Sequence, residues 1–164
     1  MPEVLRFGDI RNEELSRLLA GYNLKTIQNP DGHPIPGSFW GDEEAGLLTN
    51  RLHVRKDTPV HSALHEACHY ICMDNSRRQS LDTNAGGSHT EENAVCYLQI
   101  LLADKLSWMG RERMFIDMDT WGYTFRLGSA KAWFEQDAQD ACAWLLEKNL
   151  ITQNLQPCWS LRKD

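Results

Sequence analysis

The residues best equipped for chemistry lie in one short run, His65-Glu66-Ala67-Cys68-His69. The pattern is H-E-x-x-H, and its neighbours place it on a helix. Thr58 can serve as N-cap and Pro59 as the first helical residue, where a missing N–H costs nothing. No Gly or Pro interrupts the chain from there to Met73. Two histidines four positions apart on a helix stand one above the other, about one turn apart, so both can reach one ion. Zinc accepts neutral imidazole readily, and three protein ligands plus a water is its usual catalytic arrangement. Glu66 falls beside that water, where a metal-lowered pKa and a carboxylate base together make a nucleophile at neutral pH. A chance match to the pattern is expected in roughly one chain in a few hundred of this length.

The helix divides into two faces. At about 100° per residue, Val60, Ala63, Ala67 and Ile71 cluster on one side, and His61, His65 and His69 on the other. A third ligand has to come from elsewhere. After a polar loop from Ser76 to Ser88, Ser88-His89-Thr90-Glu91 opens a second apolar-periodic segment as a capping box, with Ser88 at N-cap and Glu91 at N3. Glu91 lies three positions before Ala94 and seven before Leu98, and shares their inward face. It is therefore the expected third ligand, with Glu92 and His89 as rivals; Glu92 projects toward Cys96 and Gln99, a more polar direction.

The H-E-x-x-H run, followed about twenty residues later by a helix beginning Glu-x-x-Ala, resembles the glutamate-ligand (gluzincin-like) branch of the zincin metallopeptidases. The segment from Glu91 to Leu102 is similar to the second conserved helix of the bacterial metallopeptidases that cleave phage repressors or control radiation response. That resemblance covers Pro59 to Asp104 and implies His65, His69 and Glu91 as zinc ligands, Glu66 as general base, and a peptide or protein substrate. The chain departs from it in having Ala103-Asp104 where those relatives follow the double leucine with Met-Pro, and in lacking an evident helix-turn-helix segment. The metzincin extension fits less well, since it needs a Gly at Cys72 and a His or Asp at Asn75; Asp74 is one residue short of that register. Such peptidases also need a donor for the oxyanion formed at the attacked carbonyl. Tyr123, in a Gly-bounded loop, is the expected donor, with Arg126 and His61 also of suitable type.

Composition bounds the remaining function classes. The chain has 164 residues, 41% of them apolar and 24% charged, ordinary values for one soluble domain spanning 1–164. A net charge of −6 argues against nucleic acid as the main partner. Arg77-Arg78 is better read as serving the C-terminus of the histidine helix. The cysteines number five and are not spaced as a disulfide framework; no apolar run reaches membrane-spanning length. These features imply a cytoplasmic protein with reduced thiols and no membrane partner. Cys72 shares the histidine face but is expected to pack as a small hydrophobe.

In chain order, Asn12 to Ala20 reads as a short amphipathic helix burying Leu15, Leu18 and Leu19. Leu24 to Gln28, Phe39-Trp40 and Gly46 to Arg55 read as strands. Arg113 to Met118 reads as a short strand or irregular segment. Ser129 caps a helix running to about Asn149, and the tail from Ile151 is expected to be irregular. The expected architecture is α+β and zincin-like, a small mixed sheet packed on the two ligand-bearing helices. In that fold an extended peptide adds to a sheet edge beside the cleft, and Leu47 to Arg55 is one candidate for that edge. A protein partner could complete the substrate site. The competing reading is a non-catalytic zincin-like binding module with a structural or sensory zinc.

Overall fold

The computed structural model describes residues 3–38 and 43–164. Among them are seven α-helices and a three-stranded mixed sheet, an α+β arrangement. The helices are α1 (Glu13–Ala20), α2 (Val60–Cys72), α3 (Asn75–Gln79), α4 (His89–Ala103), α5 (Gly110–Trp121), α6 (Ala130–Gln136) and α7 (Gln139–Glu147). The strands are β1 (Lys25–Gln28), β2 (Gly46–Leu48) and β3 (Arg51–Val54). The strand expected at Phe39-Trp40 lies outside the described residues.

β3 is central, parallel to β1 and antiparallel to β2, with Thr26 opposite Leu52 and Leu47 opposite Leu52 on its other side. Leu52 and Val54 are buried while Arg51 points outward, the alternation of a half-covered strand. The segment expected to form a free edge is therefore occupied. β3 has a neighbour on each side, and the outer side of β2 is paired, with Thr83 N–H donating to Leu47 O at 3.0 Å and Thr49 N–H to Leu81 O at 2.9 Å.

α2 begins one residue later than its sequence signals suggest. Thr58 Oγ1 accepts from Arg55 N rather than from a helix amide, so it closes the turn before the helix. The first amide of α2 is satisfied from outside, Val60 N–H donating to Leu5 O at 2.8 Å. Its C-terminal carbonyls are served by buried Arg78, which donates to Tyr70 O and Met73 O, as its position past the helix end suggested. Arg77 is engaged elsewhere.

α4 is buried around nearly its whole circumference, from Ala94 through Ala103. It packs against α2 on one side and α5 and α7 on others, which is why its apolar residues show so little one-sidedness. Ser88 caps it as expected, its Oγ accepting from Glu91 N at 3.2 Å.

Two expected elements differ. Arg113 to Met118 lies within helix α5, burying Met114, Phe115 and Met118 at helical spacing and ending at Gly122, whose φ of 98° is the left-handed C-terminal stop. The long helix after Ser129 is broken between α6 and α7. Asp137 leaves helical geometry at φ −137°, ψ 15°, and its carboxylate is taken by Arg126. The tail is irregular apart from an Ile151–Pro157 bridge. It nonetheless docks on the end of α2, Arg162 N–H donating to Ile71 O at 3.0 Å.

Candidate metal centre

α2 and α4 bring three ligand groups together. Among the described residues, one ligand atom from each of His65, His69 and Glu92 lies within 4.8 Å of the others. The Glu92 carboxylate spans the two rings, with Oε1 at 2.9 Å from His65 Nε2 and Oε2 at 3.0 Å from His69 Nε2. The two imidazoles meet nearly edge to face, their centroids 4.7 Å apart.

The expected third ligand, Glu91, faces the other way. It is buried, and its Oε1 accepts from Arg77 Nη2 at 2.6 Å and from Arg162 Nη1 at 3.1 Å. Its Oε2 lies against Gly87, where an added Cβ would stand 2.1 Å from that oxygen, so a side chain there would have to displace the Glu91 carboxylate. The face argument fails because α4 has no single inward face. Ala94 and Leu98 point into the core, but α2 meets the helix along Glu92, Cys96 and Gln99. A polar stripe at i, i+4 and i+7 on a helix apolar elsewhere was the signal that would have found Glu92.

Gln99 shows how the centre is oriented. It is fully buried, and its Nε2 donates to His61 O at 3.0 Å, which turns its Oε1 toward His65 Nδ1 at 2.9 Å. An amide oxygen can only accept, so Nδ1 of His65 carries the proton. In a neutral ring, Nε2 then presents a lone pair toward the Glu92 carboxylate. Two electron-rich groups so placed require either a proton or a cation between them. Two imidazole nitrogens and a carboxylate are a donor set that zinc accepts, so these residues fit the metal that the sequence implied.

The remaining candidates take definite places. Tyr123 Oη lies 3.1 Å from His61 Nδ1, and its ring stands edge-on to His65 at 5.6 Å between centroids. Arg126 is exposed and bound to Asp137, and His89 is exposed beside Asn93. Asp74 caps α3 and pairs with Arg77. Cys72 is buried outside the cluster, and all five cysteines are free.

Electrostatics follow from burial and from this pairing. Burial works to raise the Glu92 carboxyl, but the hydrogen bonds from His65 and His69 outweigh it and hold the group well below the ordinary carboxylate range. Burial likewise pulls His65 down, and Tyr123, Cys96 and Glu92 together more than reverse it. Burial lifts the Glu66 carboxyl above its usual value, with His69 and His65 drawing it partly back. His61 is pushed down to about 3 by burial and then by His65 and Arg6. Burial raises the Tyr123 hydroxyl to about 12 against the opposing pull of His65.

Comparison with known proteins finds no matching family model, no similar curated protein and no similar solved structure. No helix among the described residues is long and apolar enough to cross a membrane.

Proposed function

We propose that this chain is a zinc-dependent hydrolase with a zincin-like centre, cleaving amide bonds of a peptide or protein. The observation that carries the reading is the convergence of His65 Nε2, His69 Nε2 and the Glu92 carboxylate, with Glu66 on the same helix turn as the first histidine. His65, His69 and Glu92 would hold the ion. Bound there, zinc supplies Lewis acidity, polarising a carbonyl and lowering the pKa of water toward neutral.

The chain's own residues supply the rest. Glu66, its pKa lifted by burial, takes a proton from the attacking water and delivers it to the leaving amine. Tyr123 keeps its proton at neutral pH and donates to the oxyanion. His61 is neutral and its buried Nε2 has no partner among the described residues, so the costlier arrangement would leave an unpaired N–H there. Its proton therefore sits on Nδ1 and is donated to Tyr123 Oη, which frees the hydroxyl proton for substrate.

Elemental analysis of tag-free protein, together with cleavage of a quenched-fluorescent peptide library, tests this. Near-stoichiometric zinc is expected, and Glu66→Gln should retain it while losing about 10²–10⁴-fold in turnover. Zinc that resists removal and supports folding, with no cleavage by the parent, would make the chain a binding module. A Glu66→Gln protein as active as the parent would also overturn the reading.

A further inference from the structure

Beside the metal centre lies a cavity of about 410 Å³ lined by none of the ligands. Two short paths connect it to them. His89, on its rim, precedes Glu92 by one turn of α4. Phe125, in its wall, stacks on Tyr123 at 6.4 Å, and Tyr123 in turn stands against His65.

The walls have a definite chemistry. Phe125 and Trp133 stack at 4.9 Å with their planes 26° apart, giving an aromatic lining. Arg126 is matched to Asp137, its Nε 2.9 Å from Oδ2 with a second bond from Nη2. Asp140, exposed in the first turn of α7, is then the excess charge: one arginine against two aspartates leaves one negative. The partly exposed Phe125 ring beside a lining with one carboxylate in excess of its single arginine suits a planar cation on a long apolar stem, which is an arginine side chain. The volume lies within the ordinary range of side-chain and small-ligand sites, and a net charge of −6 draws basic segments toward the surface.

We propose that this cavity is a specificity subsite for a basic side chain, arginine above all, of the substrate peptide. The proposal rests on the hydrolase reading, and its test is built so that the two can fail separately.

The probes are acetylated, amidated pentapeptides of alanine carrying Arg, Lys, Glu, Phe or Ala at the centre. They are titrated into full-length Glu66→Gln protein, following the indole N–H signal of Trp133 by NMR, while the parent protein is assayed for cleavage of the same peptides. The arginine peptide should bind about fivefold more tightly than the alanine or glutamate peptide. Asp140→Lys, at an exposed position, should abolish that preference and favour glutamate. Glutamate or phenylalanine peptides binding as tightly as arginine, or an arginine affinity untouched by Asp140→Lys, would overturn the subsite. Arginine-selective binding without cleavage of any peptide by the parent would remove the hydrolase reading and leave the subsite standing. Cleavage without basic preference in binding would do the reverse.

Discussion

The first turn of α4 carries two adjacent glutamates with opposite surroundings. Glu92 is half-exposed and spans two imidazoles, while Glu91 is buried between two guanidinium groups. One residue of helix rotation, about 100°, separates a group that can ligate a metal from one that fastens the fold. The surroundings explain the division. Arg77 and Arg162 are permanent cations that neutralise Glu91 whatever else is bound, so its charge is committed to holding α3 and the C-terminal tail to α4. The histidines around Glu92 can lose their protons, so its charge remains available to a metal.

Exchanging these roles by mutation gives the largest expected effects. Glu92→Gln should cost zinc affinity about 10²-fold or more, since even partners outside the ligand set are worth 10- to 100-fold. Glu91→Gln should keep zinc stoichiometry and lose about 3 kcal/mol of stability, because two arginines lose a buried counter-charge. Equilibrium dialysis against zinc and urea unfolding followed by tryptophan fluorescence measure the pair. Zinc lost in Glu91→Gln but kept in Glu92→Gln would reverse the assignment.

The same pair marks what the sequence could disclose. The histidine helix, the Ser88 cap, the early helix and the hairpin strands were legible because each rests on local periodicity or a single capping group. Residue type alone singles out Tyr123, and the structure sets it against His61 and His65. Glu92 is not distinguished by the sequence, because its role depends on which side of a wholly buried helix meets α2, a tertiary fact. α5 is not legible locally because its apolar residues flank a buried Asp117, tied to Arg113 one turn earlier and to Leu5 N across the fold. The break at Asp137 depends on Arg126, eleven residues away, and no local signal announces it.

A smaller effect separates the two glutamates through a third residue. Gln99 touches only the Glu92 side, fixing the His65 proton on Nδ1. Gln99→Leu should reduce zinc affinity about 10- to 100-fold while leaving the clamp of Glu91 with its arginines intact. Competition with a fluorescent zinc chelator reads the affinity. An unchanged value would mean that the tautomer is set by something other than the amide.

The smallest expected effect belongs to the Ser88 hydroxyl, which accepts from the Glu91 amide, whereas the Glu92 amide donates to the Ser88 carbonyl that any residue would supply. Ser88→Ala should cost about 1 kcal/mol, the usual worth of an N-cap. Its coupling is more informative than its size. The Ser88 hydroxyl holds Glu91 N in place, and the arginines hold the Glu91 side chain, so either contact helps to position the other. In a double-mutant cycle with Glu91→Gln, the two losses should fall short of their sum by about 0.5 kcal/mol or more, as for residues in direct contact. With Glu92→Gln, measured as stability of the metal-free protein, the losses should add, because that carboxylate is anchored from α2 rather than from the cap. Equal coupling to both would mean that the first turn of α4 moves as one piece and that the division between its two glutamates is not energetic; additivity with both, or coupling to Glu92 alone, would mean that the cap does not position Glu91.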